Sequence, residues 1–184
     1  MITILPYNGR WPQEFNQIQA ALAAALGPLA LRIDHIGSTS VPGLGAKDVI
    51  DVQVTVTALS EDVRQALLAA GFQQFREAVS DHVPPGEDPA PEKWQKFLFV
   101  QPEGQRRANI HVRVEGRPNQ RYPLLFRDYL RAHPRSAQVV EIIKRQLAKH
   151  HGDDVAAYYD IKDPVYDLIW DAAQTWATCT GWTA

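Results

Sequence analysis

The sequence predicts an α+β domain: a small mixed β-sheet packed with helices, followed by a helical C-terminal segment. Three observations lead there. An amphipathic run opens the chain, strand-like alternation fills its centre, and everything after Pro118 carries the helical period. At 184 residues the chain is long enough to bury a substantial core, so residues 1–184 are read as one domain whose helical part covers about 119–184.

The first helix is expected over 12–26. Pro12 suits a first helical position, Phe15, Ile18, Leu22 and Leu26 share one face, and Gly27-Pro28 stops it. Leu29 to Ile36 reads as a strand. Residues 49–56 form the clearest strand, with Ile50, Val52, Val54 and Val56 on one face and Asp51, Gln53 and Thr55 on the other. Ser60 caps a helix that points Val63 and Leu67 inward and ends at Gly71. A strand is expected over 72–79. The proline-rich stretch from Ser80 to Lys93 is read as a mobile surface loop without regular structure, either inert or a lid. Residues 95–101 and 108–114 read as a hairpin joined by PEGQRR.

Four helices are expected in the tail. The first covers 121–132, with Leu125, Phe126, Tyr129 and Leu130 as its stripe. The second covers 135–149, with Val139, Ile142, Ile143 and Leu147 inward. A short third covers 153–160. The last starts at the Asp163-Pro164 pair and buries Leu168, Ile169 and Ala172.

Composition excludes several classes of function. The chain is 45% hydrophobic and 22% charged with a net charge of −2, so nothing global draws it to nucleic acid or to an anionic membrane. Its single cysteine, Cys179, rules out an internal disulfide and a thiolate zinc cluster. The opening MITILPYNGRWP lacks the basic and apolar regions of a secretion signal, and no run approaches the roughly 18 apolar residues of a membrane span. A cytoplasmic protein is expected.

Function turns on residues 35–54, HIGSTSVPGLGAKDVIDVQV. Gly37, Ser38, Thr39 and Ser40 follow a strand, and small residues there let a backbone approach a phosphate closely while amides and hydroxyls bind it. The same residues also make an ordinary tight turn, and both readings stand. The GxxxxGK[ST] phosphate loop is absent. Asp51 lies opposite the aliphatic face of its strand, where it can meet solvent or a metal.

A strand ending in Gly-Ser, followed after a short spacer by an acid on a hydrophobic strand, resembles the signature of the DNA-polymerase-β-like nucleotidyltransferase superfamily. The string HIGSTSVPGL resembles more narrowly the GrpB-like family. PYNGRWPQEF, NIHV, LLFRDYLRAHP and the Tyr159/Lys162 pair extend that likeness over nearly the whole chain. The resemblance implies a nucleotidyltransferase-like fold and transfer of a nucleotidyl group from a nucleotide to a small acceptor. Gly37 and Ser38 match the phosphate turn, and Asp51 matches the first metal carboxylate and a catalytic position. Thr39 and Ser40 extend the cradle.

The superfamily's second acid position holds Gln53, a carbonyl without charge. The strand expected to supply a third acid presents Asn109, His111 and Arg113 instead. Mg²⁺ or Mn²⁺ would therefore be held weakly, mainly by Asp51. The alternative is a pocket for a phosphorylated or carboxylated small molecule, in which Asp51 orients a catalytic His111 and Gln53 and Arg113 contact the ligand.

Arg127 and Arg131, one turn apart, can face one anion or form a solvated face with Asp128. Lys162 can meet phosphate or solvent. His35 suits a satisfied buried site, His82 an inert loop position, and His150-His151 a helix end.

Overall fold

The structure, a computed structural model, describes residues 1–75 and 79–184. Among these residues five strands form one mixed sheet in the order β1-β2-β5-β4-β3: β1 (Arg32–Ile36), β2 (Ile50–Val56), β3 (Gln73–Gln74), β4 (Phe97–Val100) and β5 (Ala108–Val114). β2 and β5 run parallel at its centre, and the other pairs are antiparallel.

One face of the sheet buries Ile50, Val52, Val54, Val56, Ile110, Val112 and Phe99 against α1 (Trp11–Leu26) and α2 (Glu61–Ala69). α1 supplies Trp11, Phe15, Ile18, Leu22 and Leu26, and α2 supplies Val63 and Leu67. Ser60 caps α2 as expected, its hydroxyl accepting from the Val63 amide at 3.3 Å.

On the opposite face, where Asp51 was expected to meet solvent or a metal, Gln53 and Thr55 are enclosed. The helical tail closes over them. It consists of α4 (Pro118–Ala132), α5 (Pro134–His151) and α6 (Val155–Thr180). Val41, Leu44, Phe126, Leu130, Ala137 and Val140 bind the tail to the segment after β1. Leu125, Trp170, Ala173 and Ala177 join α4 to α6.

Several expectations change. The chain makes a 3₁₀ turn over Gly27–Leu29, so β1 starts only at Arg32. Of the strand expected over 72–79, Gln73–Gln74 form β3, and residues 76–78 lie outside the described residues. The proline-rich stretch contains a short helix, α3 (Pro91–Trp94), with Pro91 at its start. That stretch is also tethered: Trp94 Nε1 donates to the Asp88 carbonyl at 2.8 Å, and Lys96 Nζ reaches Asp81 at 2.6 Å.

α6 passes through Pro164 without a break, where a helix start was expected. Asp154 caps it instead, accepting from the Ala157 amide at 2.9 Å. An interior proline costs roughly 3 kcal/mol. Aromatic packing on both sides offsets that cost: Tyr158 is fully buried before the proline, and after it Tyr166 stacks on Phe126 at 4.8 Å and Trp170 on Tyr122 at 4.4 Å.

The buried faces of α5 and α6 are also rotated from expectation. Val139 and Ile142 are each 53% exposed and Leu168 is 74% exposed, while Val140, Lys144 and Leu147 on α5 and Trp170, Ala173 and Ala177 on α6 turn inward. The buried lysine explains the shift on α5: its register follows a polar contact as well as apolar area.

Candidate functional site

β1 delivers the chain to Gly37, whose φ of 67° and ψ of −172° lie in a region that only glycine occupies readily. Ser38–Ser40 then make one 3₁₀ turn. Its polar atoms are divided between inside and outside. The Ser40 hydroxyl donates to the Gly37 carbonyl at 2.6 Å, and Thr39 Oγ1 lies 2.9 Å from His35 Nε2. His35 is buried and stacks on Phe15 at 4.7 Å. Burial, reinforced by Arg131 and Arg127 and opposed by Asp51, lowers its pKa to about 4, so the ring is neutral.

The outward carbonyls of this segment are held by α4. Arg127 Nη1 donates to the His35 carbonyl at 3.1 Å, and Arg131 donates to the Ser40 carbonyl from Nε at 3.1 Å and Nη2 at 2.7 Å. Neither arginine lines the cavity. Their expected place as direct ligand contacts gives way to a clamp behind the turn, because their guanidinium groups are committed to backbone oxygens and to Asp128.

Gly37, Ser38 and Thr39 border a cavity of about 840 Å³ between the sheet and the tail, whereas Ser40 is turned away. Asp51 faces the turn so closely that a Cβ at residue 37 would sit 2.5 Å from Oδ2. The pairing of β2 with β5 places Asn109 beside Asp51 and His111 beside Gln53. Asn109 Nδ2 donates to Asp51 Oδ1 at 2.9 Å, and His111 Nε2 lies 3.9 Å from the same oxygen.

Burial alone would raise the Asp51 pKa, but His111, Asn109 and Lys47 outweigh it and hold the carboxyl below its ordinary value. Burial and Arg113 lower the His111 pKa despite the pull of Asp51. Arg113 Nη2 approaches His111 Nδ1 at 3.4 Å, which favours the tautomer with its proton on Nε2, facing Asp51. The Nε2 edge of the His111 ring thus faces the Asp51 carboxylate at 3.9 Å. Asp51 Oδ2 is left facing the turn.

Gln53 is displaced from its expected role. Its Nε2 donates to the Gln120 carbonyl at 2.9 Å, its Oε1 accepts from Arg113 Nη1 at 2.8 Å, and it does not border the cavity. Arg113 does reach the cavity wall, but its guanidinium grips Asp81 with two bonds of 2.8 Å. Burial would raise the Asp81 pKa, yet Arg113 and Lys96 keep it well below the usual carboxylate range. The sequence reading missed Asp81, which sits in the proline-rich stretch with no spacing to mark it. His82, read as inert, pairs with Asp167 at 3.0 Å on the cavity rim.

Lysines of the tail and of the segment before β2 add positive charge to the cavity. Lys47, Lys144 and Lys162 all border the cavity. Lys47 Nζ donates to the Tyr159 hydroxyl at 2.5 Å, and Lys162 lies 3.8 Å from the centre of the Tyr166 ring. Lys144 Nζ donates to the Gly45 carbonyl at 2.7 Å. Burial, then Lys162 and Lys47, depress its pKa to about 7 against the pull of Glu141 and Asp51. Of these lysines only Lys162 was expected in a binding role.

Among the cavity carboxylates, Asp48 pairs with Arg106, Asp81 with Arg113 and Lys96, and Asp163 with Lys162. Among the described residues no group of three or more His, Cys, Asp and Glu side chains is placed to hold a metal. Asp51 Oδ2 and the neighbouring turn form a donor set that suits a divalent cation only together with oxygens from a ligand's phosphates. No helix among the described residues is long and apolar enough to cross a membrane.

The family model described as "GrpB protein" matches residues 1–171. The crystal structure of the conserved protein GrpB from Enterococcus faecalis is 28% identical, covers 95% of this chain and 99% of its own, and superposes with a TM-score of 0.74. A UPF0157 protein of Halalkalibacterium halodurans is 32% identical over 91% of this chain and 80% of its own length. A dephospho-CoA kinase of Mycolicibacterium paratuberculosis is 33% identical over 98% of this chain but only 48% of its own length, so the chain spans about half of that relative. The chain therefore belongs to the GrpB family and shares the α+β fold of its Enterococcus faecalis member.

Proposed function

We propose that the cavity binds a nucleoside triphosphate and transfers its nucleotidyl group to a small acceptor. The observation that carries this reading is the convergence on one cavity of the Gly37–Thr39 turn, the Asp51 carboxylate and the lysines 47, 144 and 162. The turn and the lysines hold phosphate oxygens, with Arg127 and Arg131 fixing the turn from behind. Asn109 and His111 fix Asp51, leaving Oδ2 to face the reacting phosphate.

When bound, Mg²⁺ or Mn²⁺ would neutralise phosphate charge and acidify the acceptor hydroxyl. Transfer forms a bond from the acceptor oxygen to the α-phosphorus, breaks the bridging bond to the β-phosphate and releases pyrophosphate, with the hydroxyl proton passing to solvent.

A second reading, a metal-independent pocket for a phosphorylated or carboxylated small molecule, draws on one specific observation. Lys47 and Lys144 have no carboxylate partner in direct contact among the described residues, while most cavity carboxylates are already paired. Kinase chemistry is not carried over from the longer relatives, because this chain matches about half of them and lacks the GxxxxGK[ST] loop.

Calorimetric titration with ATP, GTP, CTP and UTP, with and without Mg²⁺ or Mn²⁺, separates the two readings. Metal-dependent nucleotide binding that Asp51→Ala abolishes, together with pyrophosphate release in the presence of acceptor, supports transfer. Binding of phosphate or organic acids that ignores metal and nucleoside sinks it in favour of the second reading.

A further inference from the structure

Tyr159 and Lys162 stand one helical turn apart on α6, and both border the cavity. Lys162 Nζ lies 5.2 Å from the centre of the Tyr159 ring and 3.8 Å from that of Tyr166. Lys47 Nζ lies 4.8 Å from the Tyr159 ring centre and donates to its hydroxyl at 2.5 Å. The phenol is thus set between two ammonium groups. Behind Tyr166 an aromatic ladder continues through Phe126 and Tyr122 to Trp170, with ring centroids 4.8, 6.0 and 4.4 Å apart.

Contacts lead from Tyr159 back to the turn. Burial pushes the Tyr166 phenol pKa up and the adjacent Ser38 opposes it, while Lys47 helps to keep Asp51 ionised. Ser38, Tyr166, Lys162, Tyr159, Lys47 and Asp51 therefore follow one another along the cavity.

The tyrosines of the cavity differ in how far their oxygens can be reached. Tyr158 is fully buried, its hydroxyl included, and burial, then Tyr159, pushes its pKa up to about 12. Burial likewise raises the pKa values of Tyr122 and Tyr166. Phenols held protonated in this way are poor nucleophiles. Tyr159 is 36% exposed, and its oxygen accepts a hydrogen bond from an ammonium. That leaves a second lone pair on the oxygen, and the ammonium stabilises the negative charge that builds there as the proton departs.

We infer that Tyr159 is itself an acceptor, nucleotidylated by its own cavity when no small acceptor is present. This rests on the transfer reading above and adds a hydroxyl of the chain to the acceptors it allows. A triphosphate held between the turn and Lys47 and Lys162 brings its α-phosphorus to an oxygen that Lys47 already orients, so attack takes place within one complex. The Tyr159 oxygen bonds to the α-phosphorus, and the bridging bond to the β-phosphate breaks. Pyrophosphate leaves with that electron pair, and the phenol proton passes to solvent.

The test incubates the purified protein with ATP, GTP, CTP or UTP and Mg²⁺ or Mn²⁺, without added acceptor. The readout is the mass of the intact chain and of its peptides. The expected result is one nucleotidyl group on the peptide containing Tyr159, lost in Tyr159→Phe and in Asp51→Ala. Tyr159→Phe retains the ring between the lysines and is expected to bind nucleotide still by calorimetry.

An adduct on another residue, or one that persists in Asp51→Ala, overturns the inference. So does the absence of any adduct on a protein that binds nucleotide, a result that leaves the functional reading standing. Failure to bind any of the four nucleotides overturns that reading as well. Should Tyr159→Phe not fold or not bind, the residue modified in the wild-type protein decides the matter alone.

Discussion

Gly37 and Asp51 are in such close opposition that residue 37 has no room for a side chain: a Cβ there would lie 2.5 Å from Asp51 Oδ2 and 3.0 Å from its Cβ. The glycine therefore serves two needs, a backbone conformation that other residues avoid and direct access of the carboxylate to the turn.

Gly37→Ala is expected to destabilise the protein by about 1–3 kcal/mol, from backbone strain and the displaced carboxylate. It should abolish nucleotide binding under conditions where the variant remains folded. Urea denaturation and calorimetry on the same preparation check both parts. A variant that binds normally would mean that Asp51 and the turn do not share a ligand.

Lys144 stands at the point of losing its proton near neutrality, with a pKa of about 7. Phosphate oxygens placed against it would favour the ammonium form and raise that value. Binding of a polyphosphate above neutral pH should therefore take up protons, up to about one at Lys144. The check is the dependence of the observed binding enthalpy on the ionisation enthalpy of the buffer. Lys144→Met should weaken binding and remove the greater part of that dependence.

Arg131 touches the Ser40 carbonyl from the side away from the cavity. Its loss should loosen the turn without deleting a ligand contact. Arg131→Met is expected to weaken phosphate affinity by roughly 10-fold, comparable to losing hydrogen bonds to a charged donor. The melting temperature should move only a few degrees, on the scale of about 1 kcal/mol in a domain this size. Arg131→Lys, which retains the charge and one donor, should recover part of the affinity.

His35 links acid sensitivity to the same turn. In the unfolded chain it titrates at its ordinary value of 6.5, and in the folded chain at about 4. Between those values the unfolded state binds a proton that the folded state refuses. Its contribution is therefore complete above the unfolded value and is lost as pH falls toward the folded one. Lowering pH from about 7.5 to about 5 should cost about 2 kcal/mol through this residue. Denaturant titrations of wild type and His35→Gln across that range check it, the difference between the two isolating His35.

The elements most legible in the sequence were those whose signals are local. Ser60 announced its cap, the alternation of residues 50–56 announced β2, and HIGSTSVPGL announced the turn. Features decided by long-range partners were not legible. Gln53 reads as a polar residue on an open strand face until α4 arrives to cover it with the Gln120 carbonyl. Arg127 and Arg131 show only that they share a helix face, not that carbonyl oxygens, instead of a ligand, meet them.

Asp163-Pro164 carries the local mark of a helix start, and tertiary packing of Tyr158, Tyr166 and Trp170 overrides it. Lys144 looks like a surface lysine because its burial depends on Gly45, far away in the chain. Asp81 and Asn119 reach the cavity through contacts with Arg113 and the Gln95 carbonyl that no periodicity encodes.

The cavity has its Gly37–Thr39 turn in the first quarter of the chain and its lysines and aromatic ladder mostly in the last third. No contiguous fragment contains it, so occupancy is possible only when the tail is seated on the sheet. A ligand present at a hundred times its dissociation constant would then add about 2.7 kcal/mol to that seating. Any substitution that loosens the tail, however far from the turn, would be felt as lost affinity before it is felt as unfolding. A ligand of the proposed kind would thus act as a clasp between distant parts of one polypeptide.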